Sequence, residues 1–195
     1  MQITGNKISL RDWQVRDVED FIAWQRAGHA WQDLDAPYYK DDPDDAELER
    51  RKEKHRAKIE GGNLPEPREQ LVIARDDVLI GMVSSYWISQ ETNWRAVGIV
   101  IFNPAYWGKG YGYEALGLWS QYLFDHHPDF VRLDLRTWSG NVGMMRLAEK
   151  LGYQEEARFR MARLVDGQYY DGMGYGVLRE EWQGRYPDGF AATLK

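Results

Sequence analysis

The 195-residue sequence contains no cysteine and only four histidines. The absence of cysteine excludes disulfide bonds, thiolate metal sites and a cysteine nucleophile, and so few histidines argue against a zinc site. No run of residues approaches the roughly 20 apolar positions that a membrane-spanning helix needs, and the N-terminus lacks the apolar stretch of a signal peptide. We therefore expect a cytoplasmic protein without a metal, away from membranes, whose chemistry uses oxygen and nitrogen groups or a bound cofactor.

Positive charge is also scarce. Against 31 Asp and Glu residues there are 25 Lys and Arg residues, which gives a net charge of −6 and argues against a dedicated nucleic-acid-binding protein. Hydrophobic residues make up 43% of the chain, and nine Trp, twelve Tyr and six Phe residues add material for a core. We predict one folded domain over the whole chain, since its length suits a single core.

Apolar periodicity predicts the element order β-α-α-β-β-β-α-β-α-β-β. A short strand at 7–10 precedes a helix over 17–25 and a second helix with Asp42 as N-cap, which ends before Gly61. Three strands at 71–74, 78–88 and 95–102 follow, and the third is apolar enough to be buried on both faces. Two βα units and a final hairpin complete the chain. Their helices are predicted at 112–124 and 141–151, and their strands at 132–136, 157–164 and 169–178. A meander followed by two βα units predicts an α/β fold with a mixed seven-stranded sheet and helices on both faces.

A glycine-rich segment lies between a predicted buried strand and a predicted helix. Its glycines at alternate positions allow successive main-chain N–H groups to face one anion, and the helix N-terminus adds a positive pole. We interpret the segment as a pyrophosphate cradle, with a simple tight turn as the alternative. The segment consists of Trp107, Gly108, Lys109, Gly110, Tyr111 and Gly112.

Two other phosphate-binding motifs fit less well. A Walker A motif is excluded because no Lys-Ser or Lys-Thr pair follows the glycines. The spacing Gly110-x-Gly112-x-x-Ala115 matches a dinucleotide fingerprint and leaves a nicotinamide-dependent oxidoreductase as an alternative. However, the preceding strand does not open a βαβ unit, and the expected acidic residue is Asp134, in mid-strand.

Residues 28–39 mix aromatic rings with carboxylates and show neither helical nor strand periodicity, which predicts an ordered loop. Rings beside carboxylates suit an amine through charge pairing and cation–π contact. The candidate substrate-binding residues are therefore Trp31, Asp33, Tyr38, Tyr39 and, from a later strand, Trp87. Packing of these rings into the core beneath the loop is the alternative.

Several motifs together resemble the GNAT superfamily of acetyl-CoA-dependent N-acetyltransferases. They are the glycine segment followed by YEAL at 113–116, Asn141, and LAEKLGY at 147–153. The closing pattern DGQYYD at 166–171 and Tyr175 resembles the Rim-type branch, which acetylates N-termini of ribosomal proteins and has relatives acting on polyamines and other small amines. The resemblance covers about residues 7–182. It implies a sheet whose fourth and fifth strands splay apart, acetyl-CoA as co-substrate, and a small amine or a protein N-terminus as acceptor.

The resemblance also implies cofactor contacts. The pyrophosphate would lie on main-chain amides of 107–112, where Trp107 replaces the commoner Arg or Gln. The pantetheine arm would run along the fourth strand as an added strand does, and the amide of Asn141 would meet it, although Asn141 also suits a helix N-cap. The strand residues concerned are Ile99, Val100, Ile101 and Phe102.

The catalytic positions of the family do not carry over. The serine that serves the departing thiolate in the Rim-type pattern is Met144 here, the tyrosine of other branches is Ala148, and the glutamate that holds a water is Ala96. Substitute bases are Asp33 and Asp35 in the loop and Glu91, and Ser139 is a candidate proton donor; each could equally be a solvated or turn residue.

The sequence therefore predicts an N-acetyltransferase that moves acetyl from acetyl-CoA to a primary amine by direct attack in a ternary complex, as a monomer or homodimer. Orientation of the reactants alone can lower a barrier by several kcal/mol. The alternative is a catalytically idle acyl-CoA sensor, which would keep the cradle and lack the acid and base.

Overall fold

The computed structural model describes residues 1–39, 41–62 and 64–194, and within these ranges one eight-stranded sheet is flanked by helices on both faces. The strands are β1 (Gln2–Thr4), β2 (Ser9–Arg11), β3 (Gln70–Arg75), β4 (Val78–Ser89), β5 (Trp94–Ile101), β6 (Arg132–Trp138), β7 (Gln154–Val165) and β8 (Gln168–Leu178). The helices are α1 (Asp17–Gln25), α2 (Asp45–Glu60), α3 (Tyr111–His126), α4 (Val142–Leu151) and α5 (Arg179–Arg185). Short 3-10 turns cover Pro104–Tyr106 and Phe190–Thr193.

The strand order is β1-β2-β3-β4-β5-β6-β8-β7, and every neighbouring pair is antiparallel except β5–β6. The predicted mixed α/β sheet is confirmed, but its strand number of seven is wrong because β1 was not predicted. Its three residues contain a single apolar side chain, Ile3, which pairs with Leu10. Such a short edge strand is formed by pairing with its neighbour, and its own sequence carries too little pattern to reveal it.

The sheet splays between β5 and β6, as expected. Pairing joins only 95–97 of β5 to 133–135 of β6. Beyond this point β5 stays with β4 as far as Ile101, while β6 stays with β8 as far as Trp138. The gap between residues 98–101 and 136–138 is called the opening below. It also explains why residues 98–101 are only partly buried, whereas the sequence predicted burial on both faces of β5.

Helices α3, α4 and α5 cover one face of the sheet, where Trp119, Leu135 and Trp182 share the main core. Helices α1 and α2 cover the other face around Val18, Ile22 and Leu48. Helix α1 begins and ends as predicted. Helix α2 starts later, because Oδ1 of Asp44, rather than Asp42, accepts the capping hydrogen bond from the N–H of Glu47 at 2.7 Å.

Candidate active site

The glycine loop, residues 107–112, leads from the end of β5 into α3. Gly108 has φ +70° and Gly110, the N-cap of α3, has φ +87°. Both lie in the left-handed region that side chains with a Cβ rarely adopt. A Cβ at Gly108 would meet no atom within 4 Å, so the loop faces open space at that point.

The main-chain N–H groups of residues 108–113 are free. Within the described residues none of them donates a hydrogen bond, and the first N–H of α3 that does so is that of Glu114, to the carbonyl of Gly110 at 3.1 Å. The positive pole of α3 lies at the same place. Clustered free donors at a helix N-terminus can hold an anion, and the residues present fit the diphosphate of a CoA molecule.

Three side chains hold this loop in position. The indole N–H of Trp107 donates to the carbonyl of Ile101 at 2.8 Å, and Nζ of Lys7 donates to the carbonyl of Lys109 at 3.0 Å. Oε1 of Glu114 accepts from the main-chain N–H groups of Lys7 and Ile8 at 2.7 and 3.1 Å. Trp107 therefore ties the loop to the strand end, and the β1–β2 turn braces it from the other side.

Two of the four predicted strand residues offer main-chain groups to the opening. The N–H of Phe102 donates to the carbonyl of Ile80 at 3.0 Å, so Phe102 and, two residues earlier, Val100 point their main-chain groups at β4. The intervening Ile99 and Ile101 point theirs toward the opening. The prediction for Val100 and Phe102 as main-chain contacts is therefore wrong: their side chains lie on the α1–α2 face, where Phe102 is buried.

Asn141 caps α4 at the far side of the opening. Its Oδ1 accepts from the N–H of Met144 at 3.0 Å, which confirms the capping role, and its Nδ2 donates to the carbonyl of Leu34 at 3.1 Å. The indole N–H of Trp138 donates to the same carbonyl at 3.0 Å. The loop after α1 is thereby fastened to the end of β6, and a contact from Asn141 to pantetheine stays a prediction.

A cavity of about 720 Å³ lies on the α1–α2 face of the sheet and reaches the opening. Residues of the loop after α1 and of strands β4 to β8 line it, so its walls come from segments far apart in the sequence. The lining includes Asp35, Tyr38, Tyr39, Ser84, Tyr86, Trp94, Gly98, Val100, Arg132, Asp134, Arg136, Thr137, Glu156, Phe159 and Arg163.

The predicted acceptor residues divide into two groups. Tyr38 and Tyr39 line the cavity. Trp31 does not: it packs edge-on against Phe102 at 5.5 Å and its indole N–H donates to the carbonyl of Trp24, so it is a core residue under the loop. Asp33 is exposed and outside the lining.

Trp87 was also predicted as a cavity wall, and the structure places it on the opposite face. Its ring lies 4.7 Å from the guanidinium carbon of Arg95 and packs edge-on against Phe130. Because side chains alternate along a strand, the neighbouring Tyr86 faces the cavity instead. Burial raises the pKa of the Tyr86 hydroxyl.

Asp35 lines the cavity near the opening. Its side chain is accessible from the cavity, but the surrounding walls remove much of its solvent, and this burial raises the pKa of its carboxyl. Within the described residues its carboxylate makes no hydrogen bond or ion pair. A carboxylate of raised pKa beside an open volume is suited to bind an amine and accept its proton.

The other two catalytic candidates lie outside the cavity lining. Glu91 is exposed in the β4–β5 turn, at the end of β5 that is remote from the opening, and the pKa of its carboxyl is lowered by its own main-chain N–H and by the hydroxyl of Ser89. Oγ of Ser139 accepts from the N–H of Asp171 at 3.0 Å and so ties β6 to β8. The position of Glu91 therefore does not support its predicted role, whereas the role of Ser139 as a proton donor stays a prediction, because a hydroxyl that accepts one hydrogen bond can still donate its own proton.

The polar face of β6 was missed as a part of the site. Arg132, Asp134 and Arg136 alternate with buried leucines, and all three line the cavity. Asp134 pairs across the parallel strands with Ala96 and is itself buried. The alternation was visible in the sequence, but the strand's neighbours were not, so it could not show that this face enclosed a cavity.

Within the described residues, no group of three or more acidic or histidine side chains is arranged to hold a metal ion. Among the helices of the same residues, none has both the length and the apolar composition needed to cross a bilayer.

Comparison with protein families gives a match over residues 7–154 to the acetyltransferase (GNAT) domain. The SPbeta prophage-derived uncharacterised N-acetyltransferase YokL of Bacillus subtilis is 26% identical over 113 residues, which span 58% of this chain and 63% of that protein. The uncharacterised N-acetyltransferase YnaD of the same organism is 25% identical over 93% of this chain and 99% of its own length.

Solved structures share the fold. The ribosomal L7/L12 α-N-protein acetyltransferase RimL in complex with coenzyme A superposes with a TM-score of 0.69 at 18% identity, covering 91% of this chain and 98% of RimL. A chimera of the spermidine N-acetyltransferase SpeG from Vibrio cholerae and hSSAT gives a TM-score of 0.69 at 18% identity, covering 92% and 100%. At these identities the likeness concerns the fold alone.

Proposed function

The chain belongs to the GNAT family of acetyltransferases, whose acetyl donor is acetyl-CoA, and we propose that it acetylates a primary amine held in the cavity, by direct attack in a ternary complex. One observation carries this proposal. The opening between β5 and β6 has the free N–H groups of the glycine loop on one side and a 720 Å³ cavity on the other. Donor and acceptor can therefore reach the same gap in the sheet from opposite faces.

On the donor side, the N–H groups of 108–113 hold the diphosphate. The free main-chain groups of Ile99 and the N–H of Ile101 pair with the pantetheine arm as an added strand would, and Asn141 approaches the arm from the end of β6. Main-chain groups on a packed sheet need little reorganisation when substrate binds, and this limits the entropy lost on positioning the thioester.

On the acceptor side, Asp35 binds the amine and takes its proton. The amine nitrogen attacks the thioester carbonyl carbon, the C–N bond forms as the C–S bond breaks, and the departing thiolate takes a proton from solvent in the cavity. The raised pKa of Asp35 brings its basicity closer to that needed at neutral pH. Met144, Ala148 and Ala96 provide no acid or base, so the site depends on Asp35 and on orientation of the reactants.

The acceptor class is a protein N-terminus or a small amine. RimL acts on the N-terminal amine of a ribosomal protein and SpeG on spermidine. The cavity is open enough for either class of acceptor. An α-amine, with a pKa near 8, is partly neutral at physiological pH and needs less help from a base than a lysine-like amine near 10.4.

An acyl-CoA sensor is the second candidate, and the apolar residues Met144, Ala148 and Ala96 favour it. Thiol release in the presence of a panel of peptides and amines separates the two functions. The enzyme frees CoA faster with at least one acceptor, whereas a sensor binds acetyl-CoA and frees thiol no faster than buffer does.

Two variants at one glycine test the cradle. Gly108→Asp and Gly108→Asn have nearly the same shape, both residue types tolerate positive φ, and the position has open space around a Cβ. Only aspartate adds a negative charge beside the expected diphosphate. We expect Gly108→Asp to bind acetyl-CoA about tenfold more weakly than Gly108→Asn by calorimetry, and the difference to shrink at high salt.

Equal affinities in the two variants would contradict the assignment of the loop as the diphosphate site. If the unmodified protein shows no binding of acetyl-CoA at ligand concentrations of about 10⁻⁴ M, the proposed function itself is contradicted.

A further inference from the structure

We propose that the acceptor is a primary amine that also carries a carboxylate, such as a free amino acid or a peptide whose N-terminal residue is followed by an acidic side chain. The proposal rests on the function proposed above and narrows its acceptor class. Its basis is the set of charges lining the cavity: three carboxylates (Asp35, Asp134 and Glu156) and three guanidinium groups (Arg132, Arg136 and Arg163).

Part of this set is neutralised within the protein. Nη2 and Nε of Arg132 donate to Oδ1 of Asp134 at 2.5 and 2.8 Å. Arg132 also pairs with Glu156. These three groups therefore satisfy one another at the floor and rim of the cavity. One guanidinium against two carboxylates leaves this group with one net negative charge, although both carboxylates are already paired with Arg132.

The other two guanidinium groups have no anionic partner among the described residues. Arg163 lies with its guanidinium carbon 4.4 Å from the centre of the Tyr38 ring, and its Nε is buried without a hydrogen-bond acceptor. Arg136 projects from the splayed part of β6, with its guanidinium carbon 5.9 Å from the centre of the Trp94 ring. A guanidinium held against an aromatic wall and lacking an anion is suited to a carboxylate, which it can bind in a bidentate manner.

Among the described residues that line the cavity, Asp35 is the third charged group without a partner, and its charge is negative. An acceptor that places its ammonium or amine at Asp35 and its carboxylate at Arg136 and Arg163 matches all three groups. A polyamine matches them poorly, because its additional ammonium groups would meet two guanidinium groups of the same sign. The charge pattern thus favours an aminocarboxylate over a polycation.

Matched acceptor pairs test the proposal. Alanine and alaninamide differ in one carboxylate, and so do the amidated tripeptides Ala-Asp-Ala and Ala-Asn-Ala; spermidine serves as the polycation. We expect the carboxylate member of at least one pair to have a kcat/KM at least about tenfold higher, as for a charge-assisted contact of about 1.4 kcal/mol. A preference in the first pair identifies a small amino acid, and a preference confined to the second identifies an acidic N-terminus.

Variants connect the preference to the two arginines. Arg136→Gln and Arg163→Gln should each reduce the preference to about twofold through KM for the carboxylate acceptor, while kcat/KM for the neutral partner changes little. Arg163→Lys keeps the charge and should retain most of the preference. Arg146→Gln removes an exposed arginine on α4 that lies outside the cavity lining, and it should have the selectivity of the unmodified protein.

The outcomes separate the two proposals. Equal kcat/KM values within both pairs, or a preference for the neutral members or spermidine, overturn the aminocarboxylate assignment and leave an amine acetyltransferase in place. A preference that survives in Arg136→Gln and Arg163→Gln also overturns it. If thiol is released with none of the acceptors, the binding of each acceptor to the CoA-bound protein is measured by calorimetry. Tighter binding of the carboxylate member of a pair supports the proposed selectivity even though the protein is not an active enzyme, and equal binding of both members refutes it.

Discussion

The two sides of the opening are built in different ways. The glycine loop and the start of α3 present the main-chain N–H groups of six consecutive residues, 108–113, whereas the cavity is lined by side chains from the loop after α1 and from five strands. A main-chain site depends on a few φ values and on where the chain turns, and glycine spacing records both. A side-chain site depends on register and on which strands become neighbours, and these are properties of the whole sheet.

The difference has a functional consequence. Main-chain donors recognise a diphosphate that is common to every member of a cofactor class, so the loop can stay nearly constant while the cavity changes. The charged cavity residues that have no ion-pair partner among the described residues, Asp35, Arg136 and Arg163, can instead select an acceptor. Substitutions should therefore affect donor affinity and acceptor turnover separately.

The largest separation is expected for Asp35→Asn. Loss of the base should lower kcat/KM for the amine by about 100-fold, the lower end for general-base catalysis, with little change in the Kd for acetyl-CoA. The control is Asp33→Asn, two residues earlier in the same loop: both side chains are accessible to solvent, but Asp33 lies outside the cavity lining. An equal loss of kcat/KM in both variants, or weaker acetyl-CoA binding by Asp35→Asn, would contradict the role of Asp35 as the base. Either result would mean that the substitutions disturb the whole loop.

The raised pKa of Asp35 gives this comparison a pH dependence. In the unmodified protein, kcat/KM should fall as the pH drops through the raised pKa of Asp35, since the base must be ionised. The contribution of Asp35 to the free energy of unfolding changes with pH in the opposite direction. A carboxyl whose pKa is raised on folding binds its proton more tightly in the folded state, so its ionisation opposes folding above that pKa. The Tm of Asp35→Asn at neutral pH should therefore be no lower than that of the unmodified protein.

A smaller effect, confined to the donor side, is expected at Gly110. Gly110→Ala places a Cβ on a residue at φ +87°, which costs about 1 to 2 kcal/mol and turns the neighbouring N–H groups away. We expect acetyl-CoA to bind about tenfold more weakly. Gly112→Ala is the matched control, because Gly112 is helical and its Cβ would make ordinary contacts of 3.5 to 3.9 Å with Leu147, Ile101 and Ile99. Similar Kd values for the two variants would refute the role assigned to the left-handed turn.

The sequence predicted the donor side more fully than the acceptor side, because the donor side is a main-chain site and the acceptor side is a side-chain site. The glycine spacing located the loop, and Asn141 was recognisable as a cap. The brace from Lys7 was not predictable, because it depends on an edge strand with one apolar residue, Ile3. Within β5, only the hydrogen-bond register with β4 shows that the main-chain groups of Ile99 and Ile101, and not those of Val100, point toward the opening.

On the acceptor side the sequence located the loop of Asp35, Tyr38 and Tyr39 but chose the wrong face of β4. Tyr86 and Trp87 are adjacent aromatic residues, and alternation alone shows that one of them faces the cavity without showing which. The register shift between Trp87 and Ser89 lies in the same segment, so even the strand period is interrupted there. Long-range pairing settles the choice, and a single sequence does not contain it.

This pair of neighbours supplies the next test. Tyr86→Leu should raise the KM for the acceptor by about threefold through loss of cavity wall, with little change in Tm. Trp87→Leu should instead lower the free energy of unfolding by about 1 to 2 kcal/mol, because it loses contacts with Arg95 and Phe130, and should leave the KM nearly unchanged. An exchange of these two results would mean that the faces of β4 have been assigned the wrong way round.

The smallest effect on turnover is expected for Ser139→Ala. Its hydroxyl lies near the end of β6 but outside the cavity lining, and its Oγ accepts from the N–H of Asp171 at 3.0 Å. Removing it leaves that partly buried N–H without this acceptor, at a cost of about 1 kcal/mol of stability, while kcat should change less than twofold. The expected result is therefore a lower Tm with nearly unchanged kcat. A large fall in kcat would instead mean that the Ser139 hydroxyl donates its proton to the thiolate, which it can do while its Oγ still accepts from the N–H of Asp171.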